Sequence, residues 1–330
     1  MRRYFFIITL FLISCKSSLK NDCNPVWAEI NKVEITRDDI DNNLSVNLAE
    51  LRKESVLNIV ESKILEWEAL SNNTTVEKNK YNEIDSKKEY PTNEMLTSFF
   101  NSKGISYDNP NADVINLARD LLTKILIEKR KIEYLDSLVK EKYNAKIFFP
   151  VKIDTNKNIT DLHYNTINEG SNVNIYYIFD YSCPACIAKW PYIKHIVEKY
   201  KDKVQIHLLN YCENPTVGSK ASYAADKQNK FLEMHNFLMN NSPINFYDTT
   251  LIIMQAQLLN LDIKKFKADL YGAEIEQIIT FNKAELSKFG IYRIPTIYIN
   301  DRCLESDISL IELDFEVTKE LFYQSLVFKN

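Results

Sequence analysis

Glycine is nearly missing, with five residues in a chain of 330. The glycine-rich turns that cradle phosphates in nucleotide-binding folds are therefore absent. There is no broad basic field: 41 lysines and arginines meet 45 aspartates and glutamates, for a formal net charge of -4. That balance gives no electrostatic footprint for nucleic acid, which is excluded as a partner. The four histidines, His163, His195, His207 and His235, stand apart without ligand spacing. Beyond the first residues no run is long and apolar enough to cross a bilayer. What remains is ordinary globular composition, 45% hydrophobic and 26% charged, in a chain long enough for two cores.

The chain opens "MRRYFFIITLFLISCKSS". Arg2 and Arg3 precede an apolar stretch, Tyr4 to Ile13, too short for a mature membrane helix and laid out like a secretory signal peptide. The end of that stretch, "LISC", resembles the lipobox of bacterial lipoproteins, with Ser14 before Cys15. The resemblance implies removal of residues 1–14, lipidation of Cys15, and a polar tether over 15–25 that also holds Cys23. The expected location is extracytoplasmic, lipid-anchored to a bacterial membrane (periplasm or cell surface), where disulfides persist.

From Val26 the pattern is helical. Leu44, Leu48 and Leu51, then Leu57, Val60, Ile64 and Trp67, recur at helical steps after a start at Thr36. A short helix is expected over 93–100. After a break at Asn109-Pro110, a long one is expected over 112–143, with Val114, Leu117, Leu121 and Ile125 on one face. Residues 26–145 resemble the N-terminal helical domain of SurA-type periplasmic chaperones in "VWAEINKVEITRDDID" and "LNIVESKILEWEAL". A helical spacer or a dimerisation arm fits the same pattern, so a homodimer through this region is a further expectation.

After Asn144 the pattern is extended: "AKIFFPVKI", "NVNIYYIFDY" and "VQIHLLNYC" read as strands. A helix is expected over 184–200, between the second and third. Residues 216–290 read as a helical insertion. "TIYIN" and "RCLES" form a hairpin across Asn300-Asp301, and a last helix covers 310–326.

Within "IFDYSCPACIAKWP" two cysteines, Cys183 and Cys186, are separated by two residues. A structural zinc site needs four ligands, and Cys212 and Cys303 are isolated, so no metal is expected. A structural disulfide would close a very short loop and stabilise the fold only modestly. A redox pair explains more. Cys183 falls where a strand hands over to a helix, and the unpaired N–H groups there favour a thiolate. Cys186, one turn inside, would resolve the mixed disulfide. Pro184 lacks an N–H, which the first helical turn tolerates. Such a dithiol needs no cofactor.

"FDYSCPACIAKWP" resembles the active site of the thioredoxin superfamily, and most closely its DsbA-like branch. Pro191 falls where that family kinks its first helix, and Pro295 in "YRIPTIYIN" falls at its cis-proline. The resemblance covers 146–330 and implies an α/β thioredoxin fold with a helical insertion, preceded by a separate mostly α-helical domain. It implies a thiol–disulfide oxidoreductase acting on thiol- or disulfide-containing secreted proteins, coupled to a membrane redox partner, with net oxidation expected. Disulfide reduction or isomerisation is the alternative, and a non-catalytic chaperone-like lipoprotein is another. Cys183, Cys186 and Pro295 would be catalytic, and Pro184, Ala185 and Ile294 would hold substrate. One departure stands out: where many relatives bury an acid, six residues before the first cysteine, this chain has Tyr177. The nearest acid, Asp180, falls on the opposite strand face by alternation. Cys212 and Cys303 are expected to be free buried thiols, with a second disulfide between them as the alternative; Trp190 and His235 are expected to pack, and Tyr181 and Ser182 to shape the entrance.

Overall fold

The computed structural model describes residues 26–30, 33–75, 90–105, 111–143, 145, 162–240, 247–300 and 302–327, with side chains described from residue 51 onward. Cys15, Cys23, the Asn109-Pro110 break and nearly all of "AKIFFPVKI" lie outside them. A hairpin, β1 (Val26–Ile30) with β2 (Val33–Thr36), leads into helix α1 (Arg37–Ser71). Helices α2 (Asn93–Ser102) and α3 (Ala112–Glu141) follow. Thr92 caps α2 by accepting from Met95 N, and Asn111 caps α3 by accepting from Asp113 N.

The C-terminal half is built on a five-stranded sheet in the order β3-β5-β4-β6-β7. The strands are β3 (Asn165–Ile167), β4 (Val173–Phe179), β5 (Val204–Asn210), β6 (Thr296–Ile299) and β7 (Arg302–Leu304). Central β4 runs parallel to β5 and antiparallel to β6. It is apolar almost throughout, because both faces are covered. Val173, Ile175, Tyr177 and Phe179 join Ile206, Leu208, Ile297 and Ile299 in the main core. Ile178 and Leu209 face the other way, against Leu286 and Ile291. The parallel β4–β5 connection is helix α4 (Pro184–Lys199). Among the described residues, five helices lie between β5 and β6: α5 (Val217–Asp226), α6 (Phe231–Asn240), α7 (Thr249–Leu258), α8 (Ile263–Tyr271) and α9 (Ala273–Lys288). The β6–β7 turn has Asn300 at φ 50°, the left-handed geometry that Asn tolerates and a two-residue hairpin needs. The edge strand β3 was not expected; its three residues pair with Ile206, His207 and Leu208 of β5.

The final helix, α10 (Leu310–Leu326), begins with a capping box between Ser309 and Glu312. It serves two cores. Leu313 and Val317 belong to the sheet's core. Ile311 packs with Leu96, Phe99 and Phe100 of α2 and Ala118, Leu122 and Leu126 of α3. Phe322, Tyr323 and Leu326 pack with Ile64 and Leu65 of α1 and Leu135 of α3. Ionic contacts follow the same path. Asp314 of α10 binds Lys129 of α3 and Lys199 of α4, and Glu320 binds Lys53 of α1.

Two expected faces are corrected. On α3, Val114, Leu117 and Leu121 are exposed, and the buried row is Ala118, Leu122 and Leu126. That i, i+4 row meets α2 and α10, so the partner helices, not the most apolar stripe, choose the face. On α1, Leu51 and Trp67 are exposed while Ile64, Leu65 and Ala69 are buried. Among the described side chains, those of the second half of α1 meet α3 and α10 through this core.

Candidate active site

Strand β4 ends at Phe179, and the chain then turns sharply. The Asp180 carbonyl accepts from Cys183 N at 3.1 Å, and Asp180 Oδ1 accepts from Ser182 N at 2.7 Å. This turn delivers Cys183 to the N-cap of α4, with extended backbone at φ -89° and ψ 111°. Its Sγ accepts from Cys186 N at 3.3 Å. Pro184 and Ala185 are exposed beside it.

The two sulfurs differ sharply. Cys183 is half-buried, and hydrogen bonding at Cys186 and the first backbone N–H groups brings its thiol down to about 6. Burial and the Asp180 carboxylate oppose that fall without cancelling it. Cys186 is fully buried, and burial, reinforced by Cys183, pushes its thiol far above the ordinary range. At neutral pH the pair is one half-buried thiolate and one fully buried thiol, a division that suits an attacking and a resolving sulfur.

The Ile294-Pro295 peptide is cis, immediately before β6. Pro295 is buried, and the Ile294 carbonyl lies 4.0 Å from Cys183 Sγ. The two distant segments thus meet at the sulfur. Pro191 lies inside α4. Tyr177 stacks on Phe179 and Trp190 with centroids 5.3 and 6.4 Å apart, and its hydroxyl donates to the Cys186 carbonyl at 2.7 Å.

Cys212 is a free buried thiol whose Sγ donates to Asn214 O at 2.9 Å, and burial pushes it up to about 11. Cys303 is exposed, which corrects the expectation of a buried thiol; it sits on an edge strand with one side open. Trp190 packs, its Nε1 donating to Asn236 Oδ1 at 3.2 Å. Among the described residues no cluster of histidine, cysteine and carboxylate side chains suits a metal ion.

Two residues carry more weight than their sequence context suggests. Tyr181, next but one before Cys183, is fully buried and its hydroxyl lies 2.8 Å from His235 Nδ1. Burial alone holds His235 down to about 3, so it is neutral. Phe179, Tyr181, Trp190 and Phe231 surround the His235 ring. Helix α6 of the insertion is thereby fastened to the nucleophile's turn. Asp180, set aside by strand alternation, lies just past the strand's last residue, where alternation no longer governs direction; it is buried and acts on both active-site sulfurs.

A central sheet with a Cys-x-x-Cys pair opening its first crossover helix, a cis-proline loop facing it and a helical insertion define a thioredoxin-fold domain. A family model described as Thioredoxin matches residues 167–315. The probable disulfide bond formation protein D of Bacillus cereus is 25% identical over 156 residues, covering 42% of this chain and 72% of that protein. Its Bacillus anthracis counterpart is 24% identical, covering 42% of this chain and 71% of its own. Among solved structures, oxidised BdbD from Bacillus subtilis superposes with a TM-score of 0.42 at 19% identity, over 48% of this chain and 92% of that one.

Proposed function

We infer that the protein is an extracytoplasmic thiol–disulfide oxidoreductase whose working pair is Cys183 and Cys186, with oxidation of protein substrates as its net direction. The carrying observation is the split between a half-buried sulfur held near 6, beside the Ile294 carbonyl, and a fully buried one held far up. The names of the Bacillus relatives point the same way. In the oxidising direction a substrate thiolate attacks Cys183 in the Cys183–Cys186 disulfide, and Cys186 leaves. A second substrate thiolate then attacks the mixed disulfide at the substrate sulfur, and Cys183 leaves as a stabilised thiolate. The low value at Cys183 makes it a good leaving group, which favours release of oxidised product. Pro295 and Ile294 form the wall against which a substrate backbone would lie. Pro184 and Ala185 form the exposed rim.

Cys15 is the proposed lipid attachment, supported by "LISC". No described helix is long and apolar enough to cross a membrane. Mass spectrometry of the mature N-terminus should find acylated Cys15, and a product starting elsewhere refutes the anchor. The helices of 26–145 are read as an arm docked on α10 that serves as a chaperone-like or dimerising surface. The central test is trapping. A Cys186→Ser variant should accumulate mixed disulfides through Cys183 in cells, and wild type should be found largely oxidised by thiol alkylation. An empty trap with Cys183 still alkylatable refutes the enzyme. A pair that is almost wholly reduced at steady state points to reduction or isomerisation.

A further inference from the structure

The turn before the dithiol contains a buried carboxylate that the disulfide-exchange scheme does not use. Asp180 is 5% exposed. Its main-chain oxygen holds Cys183 N and its Oδ1 holds Ser182 N, so the residue builds the turn that presents the sulfur. The carboxylate faces thiols from two elements. On the α4 side it acts on Cys183 and Cys186, and beyond β5 it acts on Cys212. Tyr181 on its own loop feels it as well. Each of these groups becomes negative on losing a proton, so the charge opposes ionisation at every one. Lys283 of α9, which acts on Cys212, is paired with Glu213 at 2.6 Å and does not neutralise the cluster.

We propose that Asp180 is a positioning residue with two separable roles: its hydrogen bonds fix the turn that carries Cys183, and its charge restrains the oxidising power of the dithiol. This rests on the pair being redox-active. A carboxylate beside the Cys183 thiolate destabilises the reduced form, where that thiolate exists, more than the disulfide form, where it does not. The disulfide is then favoured, and the protein is a weaker oxidant than its helix N-terminus alone would make it. The position of the acid, after the strand rather than within it, lets one side chain serve both ends.

The experiment compares wild type with Asp180→Asn and Asp180→Ala in the full chain, equilibrated in glutathione buffers. Protein dithiol reacts with oxidised glutathione to give the Cys183–Cys186 disulfide and two reduced glutathiones. Two electrons pass to the glutathione sulfurs, which take the dithiol's protons, with water supplying the one a thiolate lacks. Asn keeps an oxygen to accept from Ser182 N and removes only the charge. The equilibrium constant for forming the protein disulfide should fall roughly tenfold in Asp180→Asn, about 30 mV toward a stronger oxidant. The Cys183 thiolate absorbance should titrate at lower pH. Asp180→Ala should show the same potential change with lower stability. A constant within twofold of wild type in Asp180→Asn overturns the proposal, as does a change found in Ala but absent in Asn. Failure of wild type itself to form the Cys183–Cys186 disulfide would instead strike at the oxidoreductase reading.

Discussion

Reduction should make the stability of this protein rise with pH, and the slope can be worked from Cys183. Its thiol stands at about 6 in the fold, against an ordinary value of 9.0. A depressed folded value means that the folded chain releases its proton first, so the stabilisation is complete above pH 9 and vanishes as pH falls through 6. The gap corresponds to about 4 kcal/mol at full strength. Cys183 is only half-buried, and solvent screening reduces that to roughly 2–3 kcal/mol. Cys186 stays a thiol in both folded and unfolded chains below pH 9 and does not blur the window. The disulfide form has no thiolate, and all other groups are shared, so the difference in unfolding free energy between the two forms isolates the sulfur. Urea denaturation of reduced and oxidised protein from pH 5 to 8.5 should show the reduced form gaining steadily on the oxidised one. Cys183→Ser forms no Cys183–Cys186 disulfide, so it is compared with reduced wild type directly, and its stability should lack the rise with pH that Cys183 contributes. A difference that stays flat across this range would refute the helix-terminus account of the thiolate.

Asp314→Ala leaves Lys129 and Lys199 facing a hole where burial opposes but cannot overcome the lysines' hold on that carboxylate, and should cost about 3–5 kcal/mol by denaturant titration. Tyr177→Phe removes one hydroxyl from the Cys186 carbonyl and should cost about 1 kcal/mol while leaving the Cys183 titration unmoved. His235 is neutral in the fold to about pH 3 but titrates near its ordinary 6.5 when unfolded, so stability should fall from pH 6.5 toward 3. In His235→Phe that acid slope should flatten, as read from melting temperatures across pH, and a slope equal to wild type would refute it.

Much of the working end was legible in the sequence because its signals are local. Cys183 and Cys186 between an apolar run and a helical one, and Pro295 just before "TIYIN", each carry their geometry in a few neighbours. The capping box of Ser309 and Glu312 at the start of the last helix, 310–326, is local in the same way, though the expectation of that helix did not draw on it. What escaped depends on partners far along the chain. Strand β3 has three residues and no alternation to read; only pairing with β5 makes it a strand. The buried row of α3 follows from where α2 and α10 lie, which no periodicity contains. Asp180 was misjudged for a third reason: the alternation rule was carried past the strand's end.

The double duty of α10 constrains the order in which the molecule can be assembled during synthesis. The arm's partners for α1 and α3 are Ile311, Phe322, Tyr323 and Leu326, among the last described residues to leave the ribosome. Lys53 must wait for Glu320, 267 positions later. Domains made first usually fold first; here the sides of the first-made helices that face α10 stay uncovered until the chain is nearly finished. Under the proposed extracytoplasmic location this would be an advantage, since a segment that cannot close early stays open for translocation. It also makes α10 the last piece to lock, so a nick or truncation within 310–326 would release the arm and open the sheet's core in one event.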